Sequence, residues 1–166
     1  VNGIPSIKEM MDRVKEKLAA MPPGTWLQSG CWIEPQFAED RMPSRHDLDP
    51  VSPDHPVVIE RIFAACVANT YALQLAGITR ETPDPPGGII ERDPQTGEPT
   101  GILQRSAKGL LRKVMPTGTD TASLAGGTVK EIESLAKIAM KELVKYGITG
   151  TVEAGVGPEM CRAYQN

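Results

Sequence analysis

Apolar residues return at helical spacing in two places, and the two runs carry similar punctuation. Ile7, Met10, Met11, Val14 and Leu18 recur every three or four residues. They follow Ser6-Ile7-Lys8-Glu9, where a hydroxyl and a carboxylate stand at the spacing that satisfies the first free amides of a helix, and Pro22-Pro23-Gly24 stops the run. Thr128-Val129-Lys130-Glu131 repeats the capping spacing, and Ile132, Leu135, Ala136, Ala139, Leu143 and Val144 form one apolar face before Gly147. Both stretches predict amphipathic helices, and a methionine-containing stripe of the first kind belongs to a core rather than to a cofactor box.

Shorter apolar runs predict strands. Thr25 to Trp32 is rich in tryptophan, Val57 to Val67 is β-branched, and Ile148 to Val152 follows the second helix after a single glycine. Helix, glycine, buried strand is the half-unit of a parallel α/β architecture, with the helix face expected to lie on the sheet. Asn69 to Ala76 reads as a short helix closed by Gly77, and Thr82-Pro83-Asp84-Pro85-Pro86-Gly87-Gly88 as a turn. Ile89 to Arg92 and Thr100 to Leu103 flank a polar loop in the manner of a β-hairpin. A polar, proline-punctuated segment, 35–56, separates the first two strands, and no internal repeat is present.

Composition narrows the class. A chain of 166 residues with 40% hydrophobic content is long enough for one domain with a core. A net charge of -3 argues against a nucleic-acid surface, and the basic cluster Lys108 to Lys113, broken by Gly109-Leu110-Leu111, reads as the wet side of a short helix. No apolar run approaches the ~20 residues of a bilayer span, so a soluble cytoplasmic protein with no membrane partner is expected. Three cysteines, Cys31, Cys66 and Cys161, without CxxC spacing point to reduced, buried thiols. With Val1 at one end and a helix-like PEMCRAY pattern at the other, the sequence reads as an internal piece.

Candidate chemistry is sparse. His46 and His55 are the two histidines, set in a proline-rich loop near Asp47, Asp49 and Asp54, where solvent-exposed side chains are expected ahead of metal ligands. Glu91, Asp93 and Glu98 fit a hairpin surface better than an acid-base pair. Cys31, near Trp26 and Trp32, lacks a group to lower its pKa. Gly87-Gly88 and Gly126-Gly127 match no phosphate loop. Arg61 and Asn69 bracket an otherwise apolar stretch, and such groups either stitch loops together or face a ligand.

The order of blocks between these points resembles a known family. Trp26 and Trp32 are followed by Arg45, Leu48 and Asp49, then Pro56-Val57 and Arg61, then Asn69-Thr70 with Ala72-Leu73. Next come Pro83-Asp84-Pro85-Pro86-Gly87-Gly88, Asp93, Gly97-Glu98 and Gly101, and later Gly147-Ile148-Thr149 and Ala154-Gly155. This succession resembles the branch of metal-dependent amidohydrolases that includes N-substituted formamide deformylase and exoenzyme regulatory proteins.

The resemblance implies an α/β fold, a fragment of a metal-dependent hydrolase TIM barrel. It implies an inserted α+β subdomain over 1–118, after the first barrel strand, and a barrel helix, strand and the start of the next loop over 119–166. A closed barrel needs more strands than this chain can supply. The parent function implied is hydrolysis of an amide or other non-peptide carbon-nitrogen bond in a small-molecule substrate. A divalent metal, with zinc the expected ion, would activate water and polarise the carbonyl. The family's His-x-His and later ligands fall outside this segment, so no catalytic residue and no metal ligand is expected within it. Trp32, Arg61, Asn69 and Arg105 are then the candidates for a pocket wall or lid. Three departures stand against the family's pattern: Ala65 where it has a histidine, Arg105 near its usual glutamate, and Val152-Glu153 in place of His-Asp. A non-catalytic regulatory or binding protein that keeps the fold is the alternative, and a homo-oligomer is left open.

Overall fold

The computed structural model describes residues 4–32, 37–61, 64–116, 129–152 and 158–165. The chain divides into two compact units, Val1–Ala122 and Ser123–Asn166.

The first unit is a five-stranded mixed sheet with helices against both faces. Its elements run α1 (Ile7–Ala19), β1 (Leu27–Trp32), α2 (Arg45–Leu48) with a 3₁₀ turn at Asp49–Val51, β2 (Val57–Arg61), β3 (Ala65–Ala68), α3 (Thr70–Leu75), β4 (Gly88–Arg92), β5 (Pro99–Arg105) and α4 (Lys108–Arg112). Strand order is β1-β2-β3-β5-β4. β1 runs parallel to β2 and every other neighbour pairs antiparallel. The apolar run from Val57 to Val67 is therefore two strands, with Val58 opposite Ala68 and Glu60 opposite Cys66.

Alternation along the strands sorts the core into two layers. Val57, Ile59, Val67 and Ile102 pack with the buried stripe of α1, while Val58, Cys66, Ala68, Leu103 and Ile90 pack with Ala72, Leu73 and Leu111 of α3 and α4. Because helices cover both faces, the strands read in sequence as continuous apolar runs rather than as alternating ones.

Local signals behave as their chemistry requires. Ser6 accepts the Glu9 amide at 3.1 Å and caps α1. Glu9 completes no capping box there; its carboxylate holds Arg13 at 2.6 Å, and Glu39, far along the chain, takes the Ile7 amide at 2.9 Å. Gly77, at φ 64°, ends α3 in a Schellman motif, with Ile78 N–H donating to Leu73 O and Gly77 N–H to Gln74 O. Gly101 is fixed by crowding: at φ 97°, a Cβ there would collide with Ala68 O and lie 2.9 Å from Arg45 N. The proline-glycine turn is tied down by Asp84, whose Oδ1 accepts from Ile90 N at 3.0 Å and from Arg92 Nη1 at 2.9 Å.

The second unit comprises α5 (Val129–Lys145) and α6 (Pro158–Gln165). Gly147 and Ile148 close α5 in another Schellman motif; Thr128, its expected cap, lies outside the described residues. Ile132 is buried and clusters with Ala163 and Val129. Two expectations fail here. Ile148 to Val152 forms no strand, and much of the apolar face of α5 is open, with Leu135 51% and Val144 66% exposed. A strand is held by ladder partners, and the described residues of this unit contain none.

Candidate functional site

Strand direction decides which candidates share an end of the sheet. β1, β2 and β5 run the same way, so their last residues, Trp32, Arg61 and Arg105, lie at one end of the sheet. Trp32 pairs with Arg61 across the β1-β2 ladder. Arg105 lies two ladder spacings from β2, about 10 Å. β3 runs the opposite way, so Asn69, which follows it, falls at the other end.

At the shared rim, Arg105 adopts φ 53°, a left-handed conformation that costs a non-glycine residue strain, and its N–H donates to Ala64 O at 2.7 Å. That bond fastens the end of β5 to the turn between β2 and β3, beside Ala65, which pairs with Gln104. The Arg105 side chain is exposed and Arg61 is partly buried. Trp32 is buried, stacked on Phe37 with ring centres 5.7 Å apart, and its indole N–H finds no partner among the described residues.

One turn behind the rim, Lys108 pairs with Glu60, their side chains only 14% and 12% exposed. The basic cluster is thus not simply a wet face: Lys108 neutralises a carboxylate that β2 points into the core layer beneath α4. A lone glutamate inside the apolar run Val57 to Val67 was the signal for it, since a charge carried into a core requires a counter-charge. Cys66, opposite Glu60, is buried, and burial together with the Glu60 charge pushes its thiol up to about 12. It is a packed thiol rather than a nucleophile. Cys161, expected buried, is exposed. The Cys31 side chain lies outside the described residues.

Asn69 holds loops together. Its Oδ1 accepts from Val57 N and Ala72 N, both at 3.0 Å, and its Nδ2 donates to Ser52 Oγ at 2.8 Å, His55 O at 2.7 Å and Ser52 O at 3.2 Å. Both polar atoms are thereby engaged within the chain. Asp49 supports the same corner, accepting from Thr70 N and Thr70 Oγ1 at 2.8 and 2.7 Å.

The two histidines part company. His46 is exposed on α2, whereas His55 is buried, with Nδ1–H donating to Thr25 O at 3.1 Å, which corrects the expectation that both face solvent. Among the described residues no group of three or more histidines, cysteines or carboxylates is placed to hold a metal ion.

The amidohydrolase family model, Amidohydro_3, matches residues 2–165. The chain belongs to the amidohydrolase family. Among relatives, YtcJ of Bacillus subtilis (strain 168), which carries an amidohydrolase name, is 40% identical over 117 residues, 70% of this chain and 22% of its own. N-substituted formamide deformylase of Arthrobacter pascens is 32% identical over 163 residues, 96% of this chain and 29% of its own. The chain thus spans under a third of the length of the relatives it matches. A solved metal-dependent hydrolase from Pyrococcus furiosus aligns with 99% of this chain and 30% of its own, at 23% identity and a TM-score of 0.48. No helix among the described residues is long and apolar enough to cross a membrane.

Proposed function

We propose that the chain acts as part of a longer metal-dependent amidohydrolase that cleaves an amide or other non-peptide carbon-nitrogen bond in a small molecule, and that this segment walls or lids the substrate pocket. The observation that supports the reading is the rim: Trp32, Arg61 and Arg105 end three strands that run the same way, at one end of the sheet, in a chain that belongs to the amidohydrolases. Trp32 supports the rim from within, Arg61 and Arg105 supply charge, and Asn69 serves from the far end by fixing the loop that leads into β2. The metal, zinc in the simplest case, and the residues that hold it would come from outside this chain.

Arg105 stands near the family's usual carboxylate, so a pocket edged by it would take substrates that carry a carboxylate of their own. A guanidinium meets a carboxylate through two parallel hydrogen bonds, which a glutamate would repel. The test compares carboxylated and neutral amides on the full-length protein with Arg105 and with Arg105→Glu. The ratio of their kcat/KM values should fall about tenfold or more, the scale of one charge-assisted hydrogen bond. An unchanged ratio would remove Arg105 from the pocket. No turnover of any amide by the zinc-loaded full-length protein would favour the non-catalytic alternative.

A further inference from the structure

The stripe of α1 does not close completely over the sheet. Between α1 and the strands lies a hollow of about 260 Å³ lined by apolar Ile4, Met10, Val14, Leu27 and Ile59 and by polar Gln28 and Ser29. The five apolar residues are buried. Among the described residues β1 ends the strand order, and the hollow lies beside it. The space is large enough for a short alkyl chain, since an apolar cavity of roughly 150 Å³ already accepts benzene.

The mouth supplies the second half of the recognition. Arg13 and Lys17 stand one turn apart on α1 and both line the opening. Arg13 shares its charge with Glu9 at 2.6 Å, while Lys17 has no ion pair among the described residues. The opening therefore carries net positive charge beside a largely apolar lining.

We propose that this hollow binds an alkyl carboxylate, with its chain against Ile4, Val14, Leu27 and Ile59 and its head group at Lys17 and Arg13. The site lies on the α1 face at the β1 edge and requires no hydrolytic activity, so it stands or falls separately from the proposed function.

The experiment titrates the 166-residue chain with octanoate, 1-octanol and octylammonium while following its methyl resonances. Octanoate should shift the methyls of Ile4, Met10, Val14, Leu27 and Ile59 saturably and bind about tenfold more tightly than octylammonium, as expected for a head group held by charge-assisted hydrogen bonds. Lys17→Glu should reverse that preference and leave 1-octanol unchanged. Val14→Phe should fill the hollow and abolish binding of all three. Should Val14→Phe fail to fold, contacts between the terminal methyl of octanoate and Ile59 in the unaltered chain provide an independent reading. Shifts that do not saturate, that map elsewhere, or that are as strong with octylammonium would overturn the proposal.

Discussion

α1 and α5 are written in the same code and end in opposite situations. Each carries apolar residues at three- and four-residue intervals. In α1, Ile7, Met10, Met11, Val14 and Leu18 are all buried against a sheet face. In α5, Ile132 is buried with Ala163, while Leu135, Ile138, Met140 and Val144 are exposed. An amphipathic pattern states that a helix has a face to bury and leaves unsaid what will cover it. Most of the stability of such a helix comes from that cover rather than from its own hydrogen bonds.

Mutating matched positions should expose the difference. Met10→Ala in α1 should destabilise the chain by about 2–5 kcal/mol, the range for deleting a buried side chain that leaves a cavity, read as a shift of the denaturation midpoint. Leu135→Ala in α5, half exposed, should change it by less than about 1 kcal/mol. Equal effects would mean that α5 is covered as firmly as α1.

Next in size is Asn69→Ala, expected to cost about 3 kcal/mol, since two buried amides lose their acceptor at roughly 1–3 kcal/mol each. Asn69→Asp keeps the acceptor for Val57 and Ala72 and should recover part of that loss in the same measurement. If Asn69→Ala melted with the unaltered chain, the loop from Ser52 to His55 would not depend on it.

A smaller effect concerns acid. Burial works to raise the Asp47 carboxyl, and the hydrogen bonds from Arg41 and the Ser44 amide outweigh it, holding the group below its ordinary 3.8. The Thr96 amide, then that of Gln95, lowers Asp93 in the β4-β5 turn. A carboxyl depressed in the folded state contributes stability above its ordinary pKa and loses it as pH falls through the folded value. The first unit should therefore hold its midpoint down to about pH 4 and weaken below it, and Asp47→Asn should flatten that acid limb. An unaltered limb would place the acid sensitivity elsewhere.

The smallest expected effect is an absence: the isolated chain, dialysed after exposure to zinc, should retain no stoichiometric metal. One tightly held zinc per chain, lost on changing His46 and His55, would overturn the reading of those loops.

Where a signal is local, the sequence carried it to the structure. Ser6 caps α1, Gly77 and Gly147 terminate their helices, and the hairpin of β4 and β5 forms between the predicted runs, because caps, left-handed glycines and turns are decided by a few neighbouring atoms. Family membership was equally legible, since the order of proline, glycine and tryptophan blocks survives in the chain itself. Pairing between distant segments was not. That Glu39 completes the α1 cap, that Lys108 neutralises Glu60, that His55 is buried against Thr25, and that one apolar run folds into two antiparallel strands all depend on which segments lie side by side. That Trp32, Arg61 and Arg105 share one end of the sheet likewise comes from strand direction, which a linear pattern of apolar residues does not encode. Ile148 to Val152 shows the limit from the other side: an apolar, β-branched sequence becomes a strand only when a neighbouring strand satisfies its backbone.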